Sequence, residues 1–307
     1  MSDRTCPAGQ DFPADPDVPV EHSPLTGHSL PPEQGFTADE IDTSRPHPAR
    51  MYDYYLGGWD NYETDREAAD KVIRAHPQVR DSARANRAFM QRAVRDAAGA
   101  GIRQFLDLGT GIPTSPNTHE VARAAAPDAR VVYADNDPIV ATHAGARLTN
   151  TPGTGFVLGD VRHPKTLLAD PAVRSLIDFD RPVAVLLVAV LHFLRDDEDP
   201  AGVVAALAGA LPAGSRLILS HATGEPYEEY AAGRTDEAAR DGVLNVYKNA
   251  TATLNLRDRA AVQRLFGPFR LQEPGVVRVP LWRPDGPVPT AEEINNTIFY
   301  GGVGIKE

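Results

Sequence analysis

The sequence is poor in cysteine. Cys6 is the only one among 307 residues, so no disulfide can close within the chain and no cysteine-based zinc site can form. It lies in a proline-rich opening segment, where its thiol is expected to face solvent. Basic residues are the scarcer charge, 31 Lys and Arg against 42 Asp and Glu, for a net charge of -11. That balance argues against a general binder of phosphate backbones, which needs a basic surface. Long apolar runs are missing too: no stretch approaches the roughly 20 apolar residues of a membrane helix. The opening MSDRTCPAGQDFPADPDVPVEHSP has no apolar run behind a basic segment and does not read as a secretory signal. A cytoplasmic location is expected.

What the chain does have is 42% hydrophobic residues, enough for a sizeable core, unevenly placed. Residues 1–44 hold seven of the 27 prolines, mixed with Asp, Glu, Ser and Gly and without a hydrophobic period. They are predicted to be a disordered leader, because they cannot bury enough apolar surface to offset the entropy of ordering. Residues 45–307 are expected to form one domain, with a helical lid region at 45–101 and an α/β core at 102–307. In the lid region Thr64 and Glu67 read as a capping box, with Ala68, Val72, Ile73 and Ala75 on one helical face. A second helix is predicted from near Pro77 to Ala98, stopping at Gly99 and Gly101.

After Gly101 strands and helices alternate. Strand-like runs fall at Gln104 to Leu106, Arg130 to Tyr133, Thr154 to Leu158, Val183 to Val188 and Arg216 to Leu219. Helical stretches fall at Asn117 to Ala126, Pro138 to Leu148, Pro164 to Ile177 and Asp199 to Leu211. Continuous apolar strands such as VAVLLVAVL point to a parallel sheet covered on both faces. Two further helical stretches are predicted at Tyr227 to Lys248 and Leu256 to Phe266. The late segments FRLQEPGVVRV and NTIFYGGVGI are expected to close the sheet as a hairpin, with LWRPDGPVPTAEEIN between them as a long loop.

The first strand runs into Gly109 and Gly111, followed by Ile112, Pro113 and Thr114. A dinucleotide fingerprint needs a third glycine for tight helix–strand packing, and it is missing here. Asp107 ends the first strand. A carboxylate there repels a diphosphate and attracts a ligand carrying an ammonium and a sulfonium, which favours S-adenosylmethionine (SAM) over NAD. Asp135 ends the second strand in VVYADNDP, where an acid can take both ribose hydroxyls of an adenosine; Asn136 beside it is a further contact candidate. Asp137 before Pro138 has the plainer role of a helix N-cap. Asp160, just after the third strand in FVLGDVR, can accept the adenine amine while the Val161 amide donates to a ring nitrogen. Thr110 and Thr114 are candidates in the glycine turn, Thr114 or Ser115 for the SAM carboxylate, and Ala189 at the end of the fourth strand. Asn117 with Glu120 fits a capping box that needs no ligand.

LDLGTG, YADND and LGDVR resemble motifs of class I SAM-dependent methyltransferases. The wider set RPHPARMYDYYLGGWDNYETDREAA, ANRAFMQRAVR, GIRQFLDLGTGIPTSPNTHEVA, VVYADNDPIVATHA, RPVAVLLVAVLHFL and GGVGIKE is similar to the S-adenosyl methyltransferase family first described as domain of unknown function 574, common in actinobacteria. The resemblance runs from about Arg45 to the C-terminus. It implies a Rossmann-like, mostly parallel seven-stranded sheet with an antiparallel C-terminal strand, and SAM as cofactor with S-adenosylhomocysteine (SAH) as product. It names no methyl acceptor.

Methyl transfer is an in-line displacement at an activated carbon, so the protein chiefly supplies proximity and alignment. Five aromatics crowd RMYDYYLGGWDNY, and the segment is expected to fold as a lid, with Tyr52, Tyr55 and Asn61 or Arg50 closing over the methionine end of the cofactor. His192, after the fourth strand, and His221, ending the fifth, are the candidates for a base or acceptor-orienting group. Two imidazoles without a third ligand make a poor metal site, and none is expected. DDED at 196–199 reads as a helix start. The acceptor is expected to be a small molecule, because the cleft is framed by aromatics and the chain is acidic. The rival readings are a SAM-binding sensor without catalysis and an NAD(P)-dependent oxidoreductase.

Overall fold

Why the described residues open with helices is visible at the helix caps. In the computed structural model, which describes residues 42–148, 151–225 and 237–307, α1 (Pro48–Leu56) starts with proline in its first turn and stops at Gly57, whose φ is 85°. The expected leader lies outside the described residues up to position 41, as does the opening of the helix expected from Tyr227. Helix α2 (Glu63–Ala75) begins one residue before the box predicted at Thr64. The Asp65 carboxylate accepts from the Tyr62 amide at 2.9 Å, while the Thr64 hydroxyl donates to the Thr43 carbonyl at 2.9 Å. Helix α3 (Val79–Gly99) follows.

The alternating part is β1 (Gln104–Leu108), α4 (Thr118–Ala125), β2 (Arg130–Asp135), α5 (Pro138–Arg147), β3 (Thr154–Leu158), α6 (Pro164–Ala169), α7 (Pro171–Leu176), β4 (Ala184–Val188), α8 (Pro200–Ala210) and β5 (Arg216–Ala222). The single helix expected from Pro164 to Ile177 is two, because Pro171 has no N–H to continue the first and the Asp170 carboxylate caps the second at the Ala172 amide, 2.8 Å away. Then come α9 (Glu237–Lys248), α10 (Arg259–Arg264), β6 (Phe269–Leu271), β7 (Val277–Arg278), α11 (Ala291–Asn295) and β8 (Phe299–Lys306).

The sheet order is β3-β2-β1-β4-β5-β8-β6, with the two-residue β7 pairing β8 beside that path. Strands β1 to β5 are parallel; β8 runs antiparallel to β5, β6 and β7. The expected closing pair is therefore present, but its long connection holds a short 3-10 turn at Val279–Leu281 and α11.

Side chains alternate across the sheet. Phe105, Val131, Tyr133, Leu186 and Ile218 pack under α1 to α4, while Leu106, Leu108, Val132, Leu217 and Leu219 pack against α6, α8 and α10. Helix α3 is a full layer of this core, with Phe89, Ala93, Val94 and Ala97 entirely buried. It is also tied to the end of the chain. The Phe89 and Trp282 rings meet edge to face at 5.5 Å, Arg92 donates to the Val279 and Trp282 carbonyls, and the Ser82 hydroxyl donates to the Asn296 carbonyl at 2.7 Å. Of the region expected as a lid, α3 thus belongs to the body.

Candidate functional site

The turn after β1 is built around two left-handed glycines, Gly109 at φ 71° and Gly111 at φ 67°. The Gly109 and Thr110 amides both donate to the Ala134 carbonyl, at 2.7 and 3.1 Å, folding the turn over the end of β2. The two glycines differ in surroundings. A Cβ on Gly109 would stand 2.5 Å from Val190 Cγ2, whereas on Gly111 it would meet only Ala49 Cβ at 3.9 Å. Gly111→Ala is expected to cost about 1–2 kcal/mol of backbone strain. Gly109→Ala adds overpacking of about 1–3 kcal/mol to that. Urea unfolding checks the contrast; equal midpoints would refute it.

Strand alternation puts Asp107 on the same sheet face as Phe105 and Tyr133, under α4. Its Oδ2 accepts from the Thr118 hydroxyl at 2.6 Å. Burial pushes its pKa up to about 6, partly opposed by the Thr118 bond and the Arg87 charge. Asp135 accepts from the Gly111 amide at 2.8 Å with one oxygen and from the Asp137 amide at 3.0 Å with the other. Burial raises it to about 6 as well, against the pull of those amides. Asp160 is half-buried and clasped by Arg162, whose amide and guanidinium donate at 2.8 and 2.6 Å. All three acids line one cavity of about 660 Å³.

Gly109, Thr110 and Gly111 line the same cavity, with Thr114 beyond them; the Thr114 hydroxyl donates to the Ile112 carbonyl at 3.1 Å. So do the exposed Asn136, the half-buried Val161 and Ala189, whose φ of 59° turns the chain at the end of β4. Asp137 caps α5 as expected, accepting from the Ile139 amide at 2.9 Å. His47 Nδ1, which accepts from the Ala49 amide, lies 3.1 Å from Asp137 Oδ2, and Arg50 Nε lies 3.9 Å from that oxygen and 3.3 Å from the fully buried Asp65. Burial holds the His47 imidazole below its usual pKa, with the Asp137 charge acting the other way. Sequence reasoning missed His47 here. It also missed Arg87 on α3, which donates to the Thr114 carbonyl at 2.6 Å and to the Pro116 carbonyl at 2.9 Å, bracing the glycine turn from the helical side.

The aromatic segment divides. Tyr52 and Tyr55 line the cavity, Tyr52 bonded to the Ala83 carbonyl and the Asn86 amide, Tyr55 within 3.4 Å of the Tyr247 hydroxyl. Asn61 does not reach the cavity: its amide donates to Asp53 Oδ2 at 2.8 Å and to the Gly58 carbonyl, closing the 53–61 turn. Trp59 is 93% exposed and cannot cover a ligand there.

The two histidines also part. His221 shares a sheet face with Leu217 and Leu219, away from the cavity, and both its nitrogens are engaged. Its Nδ1–H donates to the Ala222 carbonyl at 2.7 Å, and its Nε2 accepts from Arg257 at 2.8 Å. Burial holds it down to about 4. With no free nitrogen and no cavity surface, it is not a base for this site. His192 lies in the 3-10 turn Leu191–Phe193 and does line the cavity. The Ala222 amide donates to its Nδ1 at 3.2 Å. That bond fixes the ring proton on Nε2 in the neutral form, so His192 offers the cavity a donor rather than a base. Among the described residues, no group of three His, Cys, Asp or Glu is arranged to hold a metal.

Two amides at the start of α4 are already taken. The Asn117 amide bonds the Glu120 carboxylate and the His119 amide bonds the Tyr133 hydroxyl at 2.8 Å. Thr114 stands where the fingerprint's third glycine would be, and Ile112 packs against Ile139 and Val140. Glu120 at the start of α4 and Asp107 beside it put two carboxylates at this turn, an arrangement unfavourable to a diphosphate. Fold and site therefore define a Rossmann-like α/β protein of the class I methyltransferase type. The chain belongs to the S-adenosyl methyltransferase family, whose model matches residues 34–307, and SAM is the cofactor. The match opens ahead of Arg45, where the motif resemblance begins.

Two solved structures bear this out. A protein from Thermobifida fusca, named as a putative methyltransferase, is 42% identical, with 87% of this chain and 97% of that one covered and a TM-score of 0.78. A family member from Streptomyces avermitilis, named for domain of unknown function 574, is 41% identical over 87% of this chain and all of that one, with a TM-score of 0.80. Among curated proteins there is no match to the chain. No helix among the described residues is long and apolar enough to cross a membrane.

Proposed function

We propose that the protein transfers the methyl group of SAM to a small molecule taken up in the same cavity, in the cytoplasm. The observation that carries this reading is the pair Asp107 and Asp135, two buried carboxylates flanking the glycine turn and both held up near pH 6 by burial. Unpaired carboxylates are costly in such a place; a cationic, hydroxyl-bearing ligand offsets that cost. Asp107 takes the ammonium. Asp135, with one amide on each oxygen, keeps lone pairs for the ribose hydroxyls. Asp160 and the Val161 amide read the adenine, Thr114 faces the carboxylate, and Tyr52 and Tyr55 close over the methionine end.

The cofactor supplies an electrophilic methyl carbon on a sulfonium. The protein's part is to hold an acceptor in line with that carbon and to keep water out. Calorimetry with SAH, SAM and NAD tests the ligand class. SAH at 100 times its dissociation constant adds about 2.7 kcal/mol of stability, and NAD adds none. A response to NAD alone would overturn the reading. Labelled SAM with acceptor mixtures tests transfer; tight SAH binding without transfer to any acceptor favours a sensor.

A further inference from the structure

Past the acids the cavity continues between α1, α9 and the ends of β4 and β5, and its wall there is a run of rings. Tyr55 meets Tyr247 hydroxyl to hydroxyl at 3.4 Å. The Tyr247 ring is 6.0 Å from Phe193, Phe193 is 4.3 Å from His192, and His192 is 6.0 Å from Phe299. These five side chains come from four separate parts of the chain and all border the cavity. Glu225 and Arg240, which border it too, are exposed, at its rim.

Besides the two tyrosine hydroxyls, His192 is the polar feature of this wall. Its Nδ1 is occupied by the Ala222 amide, and among the described residues its Nε2 has no hydrogen-bond partner. The His221 ring stands 5.5 Å off, with Arg257 behind it at 2.8 Å from His221 Nε2. Burial and the charges on that side keep the His192 imidazole well below its usual pKa. A proton taken up by His192 would also face the sulfonium of the cofactor, cation against cation in a poorly solvated space. The tyrosine hydroxyls are no bases either: burial pushes Tyr247 up to about 12 and raises Tyr55.

We propose that this ring-walled chamber takes a neutral aromatic acceptor, and that His192 orients it as a hydrogen-bond donor through Nε2–H. The proposal rests on the methyl-transfer reading. In the step, a lone pair of the acceptor forms the bond to the methyl carbon and the carbon–sulfur bond breaks. Its electron pair stays on sulfur as SAH forms, and the acceptor's displaced proton leaves to solvent. Phe193, Tyr247 and Phe299 supply flat apolar contact, and a wall without a charged side chain of its own disfavours a charged acceptor, whose lost hydration one hydrogen bond from His192 does not replace.

A set sharing one ring system tests this: 1-naphthol, naphthalene, 1-naphthoate and 1-naphthylmethylammonium, titrated into SAH-loaded protein after SAH binding itself has been measured. The expected result is that 1-naphthol binds about ten-fold or more tightly than either charged compound. His192→Phe weakens 1-naphthol by about ten-fold, one hydrogen bond's worth, with naphthalene and SAH unchanged. Nitrogen NMR of the unmodified protein should show His192 as the Nε2–H tautomer throughout about pH 5 to 8. Equal binding of naphthoate, no binding of any member, unaltered 1-naphthol affinity in His192→Phe, or a His192 midpoint near its usual value would overturn the proposal. Failure of SAH to bind would instead sink the cofactor reading.

Discussion

Arg50→Met is expected to lower unfolding stability by about 3–5 kcal/mol, the cost of stranding a buried partner charge. Arg50 is 1% exposed and Asp65 is fully buried. The guanidinium bridges Asp65 and Asp137 and donates to the Arg45 carbonyl at 2.8 Å and the Asp42 carbonyl at 3.4 Å. Without it, Asp65 keeps the His47 and Tyr62 amides but no cation. Methionine preserves the stem's apolar packing, so the loss reports charge. Adding Asp65→Asn should restore part of the stability in a double-mutant cycle, because the stranded charge is then gone. Urea melts of the three variants decide it, and a parent-like midpoint for Arg50→Met would mean that the cluster does not anchor α1.

Asp107→Asn is expected to weaken SAH binding by about 100-fold, or roughly 2.7 kcal/mol, by removing the charge that meets the ammonium, while making the ligand-free protein more stable at neutral pH. The sign follows from the pKa. Asp107 sits near 6 when folded, above its unfolded value of about 3.9. The folded state therefore gains from its protonation, a gain fully present below about pH 4 and lost as pH rises through 6. Asparagine is neutral throughout and can still accept from Thr118. Its advantage over the parent should be near zero at pH 4 and grow to at most about 3 kcal/mol above pH 7. SAH titration reads the first effect and thermal melts across pH the second. A variant that binds SAH like the parent removes Asp107 from the site.

The sheet was legible because apolar runs and glycine or proline breaks coincide with strand ends; Thr154 to Leu158 needed no adjustment. The acids singled out at the ends of the first three strands gather on one cavity, because parallel strands end on the same edge of the sheet. The histidines were not told apart, although the period of two held the answer for one of them. In Arg216–Ala222, His221 falls in step with Leu217 and Leu219, whose face packs on α8 and α10, not on the cavity. Asn61 was misplaced because nothing in the sequence shows that Asp53, eight residues earlier, would claim its amide. Arg87, His47 and the ring wall are assembled from distant segments, and no local pattern records such meetings.

Helix α3 carries a consequence for how the molecule comes into being. It is synthesised before any strand it covers, yet Arg92 and Ser82 find their carbonyl partners 187 to 214 residues later. Until nearly the whole chain has emerged, Phe89 lacks the Trp282 ring that it meets edge to face, although α1 and α4 already pack beside it. Closure over such separations is slow and leaves apolar surface open meanwhile. A chain cut after Gly101 would yield neither a detachable cover nor a self-sufficient nucleotide-binding body, but two fragments each lacking the other's layer.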